Sequence, residues 1–277
     1  MKTIENKSFD EERALYSADG IKLIGCSFDG ARDGESALKE SKNVIAEACF
    51  FNLRYPFWHN ENVTIDKCGM SDKCRAPIWY SKNVTVNESV MNGVKAVREC
   101  SDVKISDTVI NSVEFGWFGN KITVSNSQIS GEYFMLKSRE VRMSNVKFKG
   151  KYSFQYVENS VFENCQFFTK DAFWHTKNVT VKNSVIEGEY LGWYSEGLTL
   201  INCKILGTQP LCYCKNLTLV DCEMIGCDLS FERSEVNATL ISPIISIKNP
   251  VSGKISAPQI GDIVDEISGG RCEIEII

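Results

Sequence analysis

Apolar and polar positions alternate in short runs along this chain, and the runs return at a fixed period. Four segments show it at sight: NVTIDKC, NVTVNES, NVTVKNS and NLTLVDC. The residue after that Asn is taken as the anchor of each copy. The anchors are then Ile21, Val44, Val63, Val84, Val103, Ile122, Val141, Ser160, Val179, Leu198, Leu217 and Ala238. From Val84 to Leu217 every step is 19 residues; the earlier steps are 23, 19 and 21, and the last is 21. Two positions after the anchor the column is apolar (Leu23, Ile65, Val124, Leu200), and seven after it is apolar again (Phe28, Phe51, Met91, Phe148, Ile205). Together with the fifth position, these columns describe two alternating strands broken by a turn. The fifth position is often cysteine (Cys26, Cys49, Cys68, Cys165, Cys203, Cys222), which acts there as a small hydrophobe. Asn126, Asn145, Asn164, Asn183 and Asn202 share the fourth position. Asparagine suits turn conformations, and stacked amides bond along a ladder. Gly93, Gly131, Gly188 and Gly207 share the ninth, at the next corner.

Nineteen residues are too few for a helix pair, and the period inside each copy is two. The pattern predicts an all-β fold, a right-handed parallel β-helix (a single-stranded solenoid) of about 12 coils of about 19 residues. The Leu-x-x-Leu-x-Leu spacing of a leucine-rich repeat is absent. Exposed strand edges need caps. SFDEERALYS contains a Ser8…Glu11 capping box, so residues 1–19 are expected to form an N-terminal cap with a short helix. Residues 20–245 form the β-helix. Pro243, Pro250 and Pro258 interrupt the period, and 246–277 are expected as irregular coils and a tail, with one domain overall.

Aligning the third strand of each coil backwards from the next anchor gathers all five tryptophans into one column: Lys39, Trp58, Trp79, Arg98, Trp117, then Trp174 and Trp193 further on. The column before it reads Leu38, Phe57, Ile78, Val97 and Gly116. Neighbouring strand residues face opposite sides. Burying Lys39 and Arg98 unpaired is costly, so the Phe57 column is expected inside and the Trp58 column outside. Within RYPFWHN (54–60), Phe57 is therefore core and Trp58 surface. An outward stripe of Trp58, Trp79, Arg98 and Trp117 places a cation between two indoles at coil spacing, suited to cation–π stacking. A contiguous aromatic strip marks an interaction site. Two readings stand open. It is a platform for a carbohydrate-like ligand, or it is covered, by the C-terminal tail or by a second copy in a homo-oligomer.

Net charge −5 and an isoelectric point near 5.3 argue against nucleic acid as partner. MKTIENKSFDEERALYS has no apolar run of the kind a signal peptide needs, and no uncharged stretch approaches a membrane span. The expected location is the cytoplasm, with the twelve cysteines mostly reduced and the Asn-x-Thr triplets unglycosylated.

Catalytic signals are sparse. The two histidines, His59 and His175, share a column six coils apart, roughly 29 Å at coil spacing, which removes a two-His metal site. His175 is flanked by tyrosines and reads as structural. His59 lies beside Glu40, the one His–carboxylate neighbour pair, able to poise a general base or to form a plain surface ion pair. Asp171 and Glu189 are close carboxylates on adjacent coils, a possible glycosidase spacing or a solvated corner. Cys212, Cys214 and Cys227 lack paired C-x2-C spacing, so no metal is assigned. No phosphate loop, G-x-S-x-G or calcium loop is present, and no cofactor is called for.

The coil pattern over residues 20 to 245 resembles the pectate-lyase-like superfamily of right-handed β-helices. DGESALKES (33–41) followed by NLRYPFWHN (52–60) is similar to a bacterial family of single-domain β-helix proteins of unknown function. The resemblance implies the fold and brings no catalytic residue with it. The aspartate clusters with Arg or Lys of pectin-degrading relatives, and their aspartate trio with Gly-His-Gly, are missing. The functional expectation is a carbohydrate-like ligand on Trp58, Trp79, Arg98 and Trp117, with an oligomeric scaffold and then a carbohydrate-active lyase or hydrolase using Glu40 and His59 as alternatives.

Overall fold

The computed structural model describes residues 1–30, 32, 34–266 and 270–277. Asp33, which opens the DGESALKES segment, and residues 267–269 of the expected tail lie outside the described residues. The chain is all-β, a right-handed parallel β-helix of about 14 turns of roughly 19 residues, with no helix among the described residues. It clusters into two units, Met1–Arg142 and Met143–Ile277.

In the first unit each coil contributes a long strand, a short second strand and a third face. The long strands Asp19–Ile24, Lys42–Glu47, Glu61–Asp66, Lys82–Asn87, Ser101–Ser106 and Asn120–Ser125 pair in parallel and in register. Leu23, Ala46, Ile65, Val86, Ile105 and Val124 therefore lie in one buried file. The second unit repeats this by itself, with Phe162, Val181, Leu200 and Leu219 in one file. The register follows from the period: a slip of one residue would turn each apolar file outward.

Corners explain the asparagines. In the coil anchored at Val84, Ala76, Tyr80, Asn83 and Glu88 all take the left-handed conformation, with φ of 42°, 52°, 54° and 44°. Such residues cost on the order of 1 kcal/mol each unless Asn or Gly occupies them. Asn126, Asn145, Asn164, Asn183 and Asn202 all sit at such corners with φ near 50°. Asn202 donates to Asn183 at 2.9 Å. In the first unit amide contacts run in the column before the anchor, Asn62 to Asn43 at 3.0 Å and Asn83 to Asn62 at 2.8 Å, and eight positions after it, Asn111 to Asn92 at 2.8 Å.

Two expectations about the ends are corrected. Ser8 and Phe9 are a strand paired with Ser27–Phe28, not a helix start, and Lys2–Glu5 pairs with the strand Asp19–Ile24. Phe9 stacks on Phe28 at 4.8 Å, which stacks on Phe51 at 5.0 Å. Burying a phenyl ring in an existing file, worth about 2 kcal/mol, outweighs a capping box. The segment 246–277 is also regular where described: Ser252–Ala257 pairs with Arg271–Ile276, and Ile244–Lys248 with Ile260–Val264. Pro243, Pro250 and Pro258 fall between these strands, where a missing N–H breaks no ladder.

Candidate functional site

The third face of the first unit holds the stripe. Phe57–Trp58, Ile78–Trp79 and Val97–Arg98 form a short parallel sheet, with Phe57, Ile78 and Val97 in one file and Trp58, Trp79 and Arg98 in the next. The first file is fully buried and the second half-buried. The expected orientation holds for the reason given: a phenylalanine file can be dehydrated at no electrostatic cost and an arginine file cannot. Arg98 bridges on to Trp117. The regular ladder ends there because Gly116 turns to φ 76°, where a Cβ would collide with Met135 Sδ.

Within the stripe the rings face each other. Trp58 and Trp79 stack at 5.5 Å and 12°. Lys39 Nζ lies 4.2 Å from the Trp58 ring centre on one side. The Arg98 guanidinium carbon lies 5.9 Å from Trp79 and 5.4 Å from Trp117. Both cations are mostly shielded, with side chains 18% and 20% exposed. Cation–π contacts at such sites are worth about 1–2 kcal/mol. One residue on runs a more exposed file, Glu40, His59, Tyr80, Glu99 and Phe118, in which Tyr80 and Phe118 are 42% and 43% exposed. Arg98 Nε donates to Glu99 Oε1 at 3.2 Å. Both faces of Trp58 and Trp79 are thus occupied by neighbours in the stripe.

Three buried donors in the stripe have no acceptor among the described residues: Trp58 Nε1, Trp79 Nε1 and Arg98 Nη1. The other tryptophans are satisfied. Trp117 Nε1 donates to the Tyr133 carbonyl at 2.6 Å, and in the second unit Trp174 and Trp193 donate to the Tyr190 and Gln209 carbonyls at 2.6 and 2.7 Å. Both unsatisfied indoles close an Arg-x-Pro-apolar-Trp segment, RYPFW and RAPIW. That shared sequence was legible; its consequence for the indole donors was not.

The paired catalytic candidates are not joined. Glu40 accepts the Tyr16 hydroxyl at 2.6 Å and lies 3.9 Å from Lys39 Nζ. The His59 ring sits 5.0 Å from Tyr80 and 6.0 Å from Trp58. Among the described residues no hydrogen bond links His59 to Glu40. Asp171 in the second unit is buried, which raises its carboxyl pKa; the charge of Glu189 adds to this and Lys170 opposes it. Cys212, Cys214 and Cys227 are buried thiols, each pushed up to about 12 by desolvation and turned to backbone carbonyls, as with Cys214 Sγ to Gly192 O at 3.1 Å. Such thiols are inert.

His175 is sandwiched between Tyr156 at 4.8 Å and Tyr194 at 5.0 Å, both rings within 8° of parallel. Burial lowers its pKa below 6.5. A lowered histidine pKa leaves folding unaffected above about pH 6.5 and costs stability as pH falls through that value, because the unfolded state takes the proton first. We predict that the denaturant midpoint drops between about pH 7.5 and about pH 5.5, and drops less in His175→Gln. An identical drop in both proteins would remove the assignment to His175.

A family model of proteins of unknown function, DUF3737, matches residues 2–277. The chain belongs to this family. No curated protein matches it. Among solved structures, this DUF3737 chain is similar to the A-module of the Azotobacter vinelandii mannuronan C-5 epimerase AlgE4, at 12% identity over 98% of this chain and 88% of that one, with a TM-score of 0.36. It is similar to the Streptococcus pneumoniae surface adhesin PfbA, at 13% identity over 89% and 72%, TM-score 0.37. It is also similar to HetL, a pentapeptide repeat protein of Nostoc sp. strain PCC 7120, at 11% identity over 78% and 91%, TM-score 0.35. At these values the likenesses carry no argument about what the chain does.

Proposed function

We propose that this protein is an interaction scaffold, and that the stripe of its first unit receives the same unit of a second copy, side by side with the coils running in the same direction. The observation that carries the reading is the pairing of two adjacent files. One runs Lys39, Trp58, Trp79, Arg98, Trp117; the other, one residue on, runs Glu40, His59, Tyr80, Glu99, Phe118. A twofold axis lying between the files and parallel to them sets each residue opposite its own neighbour in the second copy. Lys39 then faces Glu40, Arg98 faces Glu99, Trp79 faces Tyr80 and Trp117 faces Phe118. A self-complementary patch of this kind is what an isologous dimer requires. The parallel arrangement sets both cations against carboxylates, Lys39 against Glu40 and Arg98 against Glu99, whereas an antiparallel one centred on Trp79 sets Lys39 against Trp117 and Arg98 against Trp58, so charge pairing favours the parallel direction. Trp, Tyr and Arg are also the residues that dominate interface energies.

Sedimentation or light scattering tests this directly. The wild type is expected to be dimeric, and Arg98→Glu and Glu99→Arg each to weaken the dimer by about tenfold or more. The double exchange R98E/E99R is expected to restore it, since every reversed charge again meets its opposite. A monomeric wild type, or a double variant no better than the singles, contradicts the proposal.

The exposed aromatic rings of the neighbouring file, Tyr80 and Phe118, favour a second reading, a carbohydrate-like ligand. Calorimetric titration with a sugar panel, repeated on Trp79→Ala, tests it, and a flat titration with the wild type removes it.

A further inference from the structure

A second surface of the first unit has a different character. On the outer side of the long-strand sheet lies a groove of about 490 Å3, whose walls include Lys82, Lys104 and Lys121 from three successive coils. Elsewhere in this unit, lysines near acidic neighbours are paired: Lys22 with Glu47 at 2.9 Å, Lys42 with Glu61 at 3.5 Å and Lys95 with Glu114 at 3.2 Å. Among the described residues no ion pair holds Lys82, Lys104 or Lys121. Of the two carboxylates in the groove, Glu61 is engaged by Lys42, and Asp102 offsets one of the three lysines. Counted on its lining, three lysines against Glu61 and Asp102, the groove is net positive by one charge, on a chain whose net charge is −5. That local reversal of sign, in a concavity of small-molecule size, is the observation that calls for a ligand.

We infer that this groove binds a small oligoanion, an oligophosphate or polycarboxylate, whose anionic groups reach three lysines that stand on successive coils but at different positions along their strands. Each ammonium meets one anionic group, and the amide and hydroxyl groups of the walls (Asn83, Thr123) complete the contacts. The site is separate from the tryptophan stripe and does not depend on it.

Calorimetric titration of the full chain with inorganic tripolyphosphate, and in a second arm with citrate, tests the inference. Saturable binding that weakens with added salt is expected for tripolyphosphate. Citrate binding as well would widen the ligand class to oligoanions in general; phosphate alone would narrow it. Lys104→Gln is expected to cost about fivefold in affinity, the worth of one exposed charge contact, and Lys82→Gln/Lys104→Gln/Lys121→Gln to abolish binding. Lys73→Gln, outside the groove, should leave it unchanged, and Lys104→Arg should retain it. No saturable binding in either arm, or full binding by the triple variant, overturns the inference.

Discussion

Phe154→Ala is expected to destabilise the second unit by about 3–5 kcal/mol, the loss typical of emptying a buried aromatic site. Phe154 is fully buried and touches four other phenylalanines: Phe173 stacked at 4.7 Å, Phe162 at 5.0 Å, Phe167 at 5.3 Å and Phe148 at 5.6 Å. The four partners come from three strands, Lys147–Lys151, Glu158–Glu163 and Gln166–Lys170, and from the turn that holds Phe173, so the cavity left by alanine cannot close by moving one of them. Parallel in-register coils hold their neighbours at fixed height, which limits relaxation further. Denaturant unfolding of the variant is the check, with Phe154→Leu expected to lose less than half as much. A loss below about 1 kcal/mol for Phe154→Ala would mean the cluster is not packed as described.

Gly93→Ala is expected to be the most damaging of the glycine substitutions in the first unit, at about 3 kcal/mol or more. Gly93 has φ 97°, and a Cβ there would run into the Cys74 carbonyl oxygen and lie 3.2 Å from that of Ser71. Neither acceptor is a flexible side chain, so a backbone must move. Gly226 makes the internal contrast. It is also left-handed, at φ 66°, but a Cβ there meets nothing within 4 Å. Gly226→Ala should therefore cost only the conformational strain, about 1 kcal/mol. Equal losses at the two positions would show that strain alone, and not close approach of coils, sets the cost.

The glycines illustrate what was legible in the chain. Their column at the ninth position was visible as a corner, yet the carbonyl of the coil below, which excludes a side chain at Gly93, is a contact between distant residues and has no local signature. The apolar files were legible because burial imposes a period on residue type: Leu23, Ile65 and Val124 could be aligned without coordinates. Ser8 and Glu11 misled, since a capping box is a four-residue pattern while the Phe9–Phe28–Phe51 stack is a property of three coils together. At the stripe, the facing of Trp58 and Phe57 followed from the charges in their columns. The use of the indole faces did not, because whether Trp58 and Trp79 stack on each other or present a platform depends on side-chain torsions that the column pattern leaves free. For the same reason Glu40 went to Tyr16, a residue from a segment expected to be helical.

The central claim is that two copies meet along the stripe in parallel. Cys272 is the one cysteine not buried, so a Cys272→Ser background allows spin labels to be placed by cysteine substitution at Glu40 and, in a separate protein, at Phe118. Dipolar distances between copies measure the direction of pairing. The parallel twofold arrangement predicts a short distance for both labels, alike at the two ends of the stripe. Long distances at both positions, as antiparallel pairing would give, a short distance at one with a long one at the other, or no dipolar coupling at either, would contradict it.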